Sequence, residues 1–326
     1  MTTQFLVAPA AAGKTAYVLD LVRDATRGLQ ATPRIVVPTQ LQAHAWRRRL
    51  AEAGGAIGVR VLTFDRLYAE CLNAAGEAYT ELSEPVQYRL IRAVVDGLLL
   101  DHYAPLASRP GFIQILQRLI GELKSARIYP DEFAHAVDGM GSEPRLYELT
   151  QIYAAYQQRL QARGWADRAG LGWLAVEALE ERAPRVASDW PLLVVDGFDD
   201  FTSVQLALLK VLASRASETI ITLTGTSDGR ERPLVHRRFD ETRKQLESAL
   251  GVIATPIPPQ ASQQAPALSY LEAHLYRAPT TREDAGGAVE LVEAPDRAAE
   301  VRAALRWLKA RLVEDGMRPG EVALLA

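Results

Sequence analysis

The chain is poor in the residues that build cross-links and metal centres. Cys71 is the single cysteine in 326 residues. That excludes an internal disulfide and any multi-cysteine zinc or iron–sulfur site within this stretch, and a lone cysteine reads as a small buried apolar residue. The five histidines show no ligand spacing, so no transition-metal site is expected. No apolar run approaches the ~18 residues of a membrane span, and no signal-peptide pattern opens the chain. A cytoplasmic protein without membrane contact is the expectation. An excess of positive charge is missing too: 37 Lys and Arg face 40 Asp and Glu, a net charge of −3. Bulk charge therefore does not select a polyanion, although a local basic face is left open. Internal repeats are absent. What remains is an ordinary globular composition, 48% hydrophobic and 24% charged, with room for two or three domains.

The most informative stretch lies near the start. An apolar run, Phe5-Leu6-Val7, enters a small-residue turn, Ala8-Pro9-Ala10-Ala11-Ala12. Gly13-Lys14-Thr15 follows and opens into Ala16-Tyr17-Val18-Leu19-Asp20-Leu21-Val22, which reads as a helix. Strand, tight loop, Gly-Lys-Thr and helix is the order that a phosphate-binding loop requires. The first N–H groups of such a helix are unpaired and its dipole favours an anion. Lys14 is placed to reach β- and γ-phosphates, Thr15 to hold Mg²⁺, and Ala12 and Gly13 to bring backbone close to an oxygen. The usual motif opens on glycine, and here that position is Ala8. The bland alternative is a helix start that happens to contain Gly-Lys-Thr.

Strand and helix patterns alternate through the first 75 residues, with strands at 34–38 and 59–62 and helices at 40–53 and from 64, which argues for a parallel sheet covered on both faces. Residues 83–182 then show almost only helical periodicity, with apolar stripes at Leu90, Ile91, Val94 and Val95, at Phe112, Ile115, Leu116, Leu119, Ile120 and Leu123, at Leu146, Leu149, Tyr153, Tyr156 and Leu160, and at Leu171, Leu174, Ala175 and Leu179. Helices between strands of one sheet read as an inserted subdomain. The sheet resumes with the unbroken run Leu192-Leu193-Val194-Val195 and with 219–223. A loop is expected at 225–229, a surface linker at 256–266, strands at 289–292 and 321–325, and a helix at 295–313. The chain ending inside an apolar run reads as a piece of something longer.

A phosphate loop needs a carboxylate at the end of a neighbouring strand, and Asp196 closes 192–195. The next residue in ATP-hydrolysing motors is commonly Glu, the base for the attacking water. Here it is Gly197, and loss of a general base costs ~10²–10⁴ in rate. Asp199 and Asp200 are not simple replacements. Nucleotide binding with poor hydrolysis is the expectation, with turnover restored by Gly197→Glu.

The order of motifs resembles that of superfamily 1 helicases of the UvrD, Rep and PcrA type. Residues 8–15 resemble their A-G-A-G-S-G-K-T loop, which also begins with Ala. Val36-Val37-Pro38-Thr39, running into Ala45 and Arg49, resembles a segment that touches single-stranded DNA. Val61-Leu62-Thr63-Phe64-Asp65-Arg66-Leu67 resembles their T-F-H segment, also near DNA. Residues 195–205 resemble V-D-E-x-Q-D-x-x-x-x-Q, and Glu300 sits like the Glu of the helix that opens their second motor domain. The departures point to one branch: Asp196-Gly197-Phe198, followed by Phe201-Thr202 and Gln205, resembles the AddB chain of AddAB-type helicase–nucleases, also called RexB, whose motor-like half is degenerate. The G-D-x-x-Q pattern expected after Leu223 is absent from Thr224-Gly225-Thr226-Ser227-Asp228.

The resemblance implies a RecA-like α/β fold of the P-loop NTPase kind, a parallel sheet with a large all-helical insertion and the start of a second α/β domain. The parts would be 1–80 and 188–255 for the sheet domain, 81–187 for the insertion, 256–287 for a linker and 288–326 for the truncated second domain. It implies ATP and Mg²⁺ at Ala12, Gly13, Lys14, Thr15 and Asp196, and DNA, as a single strand or duplex end, at Thr39, Thr63 and Phe64. It also implies a helicase–nuclease partner of the AddA type, with a part in processing double-strand breaks for recombinational repair. The family's nuclease domain and iron–sulfur cluster lie outside this stretch. An active superfamily 1 helicase and an unrelated small-molecule kinase are the competing readings. From the residues alone, DNA contact has softer support. Arg47-Arg48-Arg49 beside Trp46 could serve phosphates and base stacking or form a solvated helix face. Arg230, Arg232, His236, Arg237, Arg238, Arg243 and Lys244 could line a strand channel or balance nearby acids.

Overall fold

A computed structural model describes residues 1–27, 32–141, 143–182, 185–225, 233–257, 265–276 and 282–325. Thr226-Ser227-Asp228, Arg230, Arg232 and most of the linker expected at 256–266 lie outside the described residues. Contacts group the chain into two compact units, 1–262 and 263–326.

The first unit is built on a six-stranded sheet. β1 (Thr2–Ala8) leads through α1 (Lys14–Thr26) to β2 (Arg34–Val36), then α2 (Gln40–Glu52), β3 (Arg60–Leu62) and α3 (Phe64–Ala75). After a short strand β4 (Thr80–Glu81) come α4 (Glu84–Val95), α5 (Pro110–Ser125), α6 (Pro130–Gly139) and α7 (Pro144–Gln161). Another short strand, β5 (Trp165–Ala166), precedes α8 (Arg168–Glu177), which ends in a π-helical turn over Ala178–Arg182. The sheet resumes with β6 (Leu192–Val195), α9 (Ser203–Ala213), β7 (Glu218–Thr224), α10 (Pro233–Leu250) and β8 (Thr255–Pro256). The strand order is β3-β2-β6-β7-β1-β8, and every pairing is parallel. β6 and β7 thus stand between β1 and β2. Chain connections diverge there, and the crevice outside the carboxyl ends of such strands is where open α/β sheets bind ligands.

Alternation along the strands splits the core in two. Leu6, Ala8, Ile35, Val37, Val61, Leu192, Val194 and Ile220 pack under Val18 and Val22 of α1 and Ala43, Trp46 and Leu50 of α2. Phe5, Val7, Val36, Leu193, Val195, Ile221 and Leu223 face the other way, into α3, α8 and α9. That second core runs without a break into the inserted helices, through Ile91, Ile113, Ile120, Ile152, Tyr153 and Tyr156. Ile115, expected in the stripe of α5, is 62% exposed, and Ile113 is buried in its place: both phases fit an i, i+3, i+4 pattern, and packing chooses between them.

Local chemistry explains the boundaries. The helices α4 to α7 each carry proline in the first turn, where its missing N–H costs nothing. α2 and α9 start on capping boxes, Thr39 with Gln42 and Thr202 with Gln205, which satisfy two otherwise unpaired N–H groups each. The β4–β5 ladder, two residues on each strand, is too short to leave a sequence pattern.

The second unit contains α11 (Pro266–His274) and α12 (Arg297–Val313), with Glu300 in the first turn of α12. The strands expected at 289–292 and 321–325 do not form. Residues 289–292 and 322–325 have no ladder partner, and Glu321 ends a 3₁₀ turn. A strand without a neighbour has no hydrogen bonds to hold it.

Candidate functional site

The loop between β1 and α1 combines two left-handed residues. Ala11 has φ 56° and Gly13, at the N-cap of α1, has φ 82°. Among the described residues no side chain caps α1 at Gly13, and its first turn contains no acidic residue, while its dipole favours an anion at that end. Lys14 folds back onto the end of β1, donating from Nζ to the carbonyl oxygens of Ala8 at 3.0 Å and Pro9 at 2.8 Å.

One residue further into the helix the chain meets Asp196. The Thr15 hydroxyl donates to Asp196 Oδ2 at 3.0 Å, joining residues 181 apart in sequence. Register accounts for the convergence. Val195 is level with Val36 on one side and Ile221 on the other, so Asp196 emerges at the carboxyl edge, one residue beyond the β6 ladder. Thr222, the residue after Ile221, donates to Asp196 Oδ1 at 2.5 Å. Trp46 Nε1 on α2 donates to Oδ2 at 3.0 Å. Asp196 is 4% exposed, and these three donors, from Thr15, Thr222 and Trp46, are neutral groups that solvate the carboxylate.

Sequence reading misses Thr222 and Trp46. Thr222 is legible in principle, since a parallel pairing of β6 with β7 puts a β7 residue beside the end of β6. Trp46 is not. It adjoins a basic run in sequence, but its ring is 3% exposed and its N–H is spent inside the molecule. The run itself is dispersed. Arg47 donates to the Val61 carbonyl at 2.7 Å and Arg48 pairs with Glu52 one helical turn on.

Gly197 follows Asp196 with φ 85°. A Cβ built there would stand 3.2 Å from Gln42 Nε2 and 3.7 Å from Pro38 Cδ. Gln42 is held in turn by the capping box, accepting from Thr39 N at 3.1 Å. Of the nearby carboxylates, Asp200 pairs with Arg238 of α10 at 2.5 Å. Among the described residues no group of three or more His, Cys, Asp or Glu could hold a metal ion. Any cation here would rest on Asp196, Thr15 and the oxygens of its ligand.

The three residues matched to DNA contacts are not alike. Thr39 is exposed at the start of α2. Thr63 is buried at the N-cap of α3. Phe64 is 5% exposed, in T-shaped contact with Phe198 at 5.2 Å and Phe201 at 6.3 Å, so it packs in the core. Of the basic cluster on α10, Arg237 pairs with Glu241, Arg238 with Asp200, and Arg243 with Glu247. No helix among the described residues is long and apolar enough to cross a membrane.

Comparison with known proteins gives a consistent result. The family model described as "ADDB, N-terminal" matches residues 5–257. A protein of Moorella thermoacetica, named as the B subunit of an ATP-dependent helicase/deoxyribonuclease, is 31% identical over 359 residues, covering 100% of this chain and 30% of that protein. Proteins with the same name from Symbiobacterium thermophilum and Desulforamulus reducens are 29% and 26% identical, covering 99% and 94% of this chain and 30% and 28% of their own lengths. The chain thus spans less than a third of these relatives. With most of the first compact unit inside the matched region, the chain belongs to the AddB N-terminal family.

Proposed function

We propose that the carboxyl edge of β1, β6 and β7 binds ATP with Mg²⁺ on a RecA-like core and hydrolyses it weakly or not at all. The observation that carries this is the Thr15–Asp196 hydrogen bond at 3.0 Å, beside a helix start with no capping side chain. Phosphate oxygens suit the N–H of Gly13 and the first turn of α1, with Ala12 N–H joining them once it leaves the Pro9 carbonyl at 3.3 Å, and Lys14 supplies a cation once it leaves the Ala8 and Pro9 carbonyls. The donor set fits Mg²⁺, a hard ion held through one or two carboxylates, water and phosphate. Thr15 and Asp196 would hold it, and it would supply charge neutralisation at the β- and γ-phosphates.

The reading extends to DNA through the family. The relatives are named as B subunits of a helicase/deoxyribonuclease, a name that fits a complex with an AddA-type partner and a DNA substrate. In this view the chain is the motor-like, nucleotide- and DNA-binding region of a helicase–nuclease component that works on double-strand-break ends for recombinational repair. It guides a strand, with Thr39 as the exposed contact, while its partner pulls. The competing active helicase needs a carboxylate where Gly197 stands, and the backbone there is unsuited to one. The test is binding of a non-hydrolysable ATP analogue to the full-length protein, with and without Mg²⁺, and DNA-stimulated turnover. Binding abolished by Lys14→Ala with negligible wild-type turnover supports the reading. Absence of binding, or turnover at motor rates that Lys14→Ala abolishes, defeats it.

A further inference from the structure

A cavity of about 270 Å³ lies where the β4–β5 ladder meets α7 and α8, and residues Tyr79, Tyr129, Trp165 and Trp173 line it. It shares no lining residue with the site at Asp196. Tyr129 stacks on Trp173 with ring centroids 4.4 Å apart. Lys124 also borders the cavity, but its charge is already committed. Its Nζ lies 2.7 Å from Asp167 and within 5.2 and 5.5 Å of the Tyr156 and Trp173 ring centres. The other polar groups on the walls include the Glu77 and Glu177 carboxylates, which accept, and the Gln161 amide and Trp165 indole, which can donate. Glu177 accepts from the Tyr129 hydroxyl at 2.6 Å, which takes one of about four acceptor positions on a carboxylate. Gln157 Oε1 also has no donor among the described residues, but it has no accessible surface and lies behind the wall rather than on it.

Flat aromatic walls select a flat ligand, and a carboxylate with acceptor positions to spare selects one that brings its own N–H groups. We propose that this cavity takes a nucleobase carrying an exocyclic amino group (cytosine, adenine or guanine), its ring among the aromatic side chains and its amino group on Glu177. Thymine carries no exocyclic amino group, leaves Glu177 only its ring N3–H to meet, and binds more weakly. The base comes either from a free nucleoside or from a single strand. Only the strand source depends on the DNA-binding reading above, and neither depends on nucleotide binding at Lys14.

The test is calorimetric titration of the full-length protein with cytidine and with thymidine, in a Lys14→Ala background that removes the β1–α1 loop as a competing site. Saturable cytidine binding is expected, with thymidine at least about tenfold weaker, because a site built for a donor leaves its acceptors unpaired with an analogue lacking it. Glu177→Gln keeps the shape and removes the charge, and lowers cytidine affinity about tenfold. Trp165→Ala lowers binding of every amino-bearing nucleoside, and Glu177→Gln keeps the test decisive if that variant misfolds. No saturable binding of cytidine, adenosine or guanosine, equal affinity for thymidine, or an unchanged Glu177→Gln overturns the proposal. A second arm compares oligo-dC with oligo-dT by fluorescence anisotropy. A dC preference removed by Glu177→Gln assigns the base to a strand, whereas nucleoside binding without that preference assigns it to the free compound.

Discussion

Asp167 and Asp196 are both buried carboxylates, at 1% and 4% exposure, yet their surroundings differ in kind. Asp167, in the inserted helices, caps α8 by accepting from Gly170 N at 2.6 Å and receives Lys124 Nζ and the Tyr156 hydroxyl at 2.7 Å each. Its charge is cancelled on the spot. Asp196, at the sheet edge, is held by two hydroxyls and an indole, with no cation among these partners. Burial of an uncancelled charge is expensive, so the arrangement suits a group that meets a cation. A hydroxyl can also rotate from donor to acceptor, which lets Thr15 turn its oxygen to a metal. The ion pair in the insertion has no such freedom. One carboxylate is an anchor and the other, in the proposed function, a receptor, and their burial alone does not distinguish them.

The contrast breaks most visibly at Lys124. Lys124→Met strands Asp167 without its counter-charge and lowers stability by about 3–5 kcal/mol, read from urea denaturation. Lys124→Met with Asp167→Leu recovers part of the loss, since an apolar replacement removes the stranded charge. The pH dependence has a definite sign. Burial pulls the Lys124 ammonium below its ordinary 10.5, with Asp167 opposing. The unfolded chain therefore holds that proton to higher pH than the folded one. This residue's contribution to stability rises as pH climbs through the interval up to 10.5, and the methionine variant loses that rise.

At Asp196 the balance reverses. Asp196→Asn keeps the shape and removes the charge, and the Mg²⁺-dependent part of nucleotide affinity falls about 10–100-fold, measured by calorimetry with and without chelator. Its stability cost stays well below that of Lys124→Met. An Asp196→Asn variant as unstable as Lys124→Met would make Asp196 an anchor too, and the distinction would fail.

Glu148 on α7 offers a third carboxylate of intermediate kind. It is buried and accepts from the N–H groups of Asp101, His102 and Tyr103 at 2.7, 2.6 and 2.9 Å. Burial would raise its pKa, but the three backbone donors outweigh that and hold it below the ordinary 4.5. Stability from this group is therefore present above 4.5 and lost as pH falls through the lowered value. Glu148→Gln costs about 1.5 kcal/mol near neutrality, and its urea midpoint converges on that of the wild type in acid.

Sequence patterns carry the sheet well because alternation and strand length are local properties. The runs at 5–7 and 192–195 mark β1 and β6, and Gly13-Lys14-Thr15 and Asp196 can be seen as partners before their register is known. The inserted helices are legible from their stripes and prolines, while Ile115 and Ile113 are not separable by spacing. The donors on Asp196 are half legible: Thr222 follows from strand order, and Trp46 follows only from the packing of α2. The strands expected at 289–292 and 321–325 rest on apolar content alone, and strand formation needs a partner that content does not specify. Phe64 is matched to DNA contact only by the resemblance, and Phe198 and Phe201, which pack on it, are far along the chain.

Gly197 separates sequence logic from backbone logic. Alignment of roles makes it the place of a missing general base and predicts that Gly197→Glu restores turnover. The backbone predicts the opposite. With φ at 85°, any side chain costs about 1 kcal/mol, and its Cβ presses on Gln42, which caps the helix carrying Trp46. Gly197→Ala should therefore lose about 1 kcal/mol of stability by thermal or urea denaturation. Gly197→Glu should lose at least as much and gain no DNA-stimulated ATP turnover, because a left-handed residue aims its side chain away from the path an extended one would give it. Turnover in Gly197→Glu that exceeds wild type would mean that this turn relaxes at little cost, and that a single carboxylate is all the receptor site lacks as a motor.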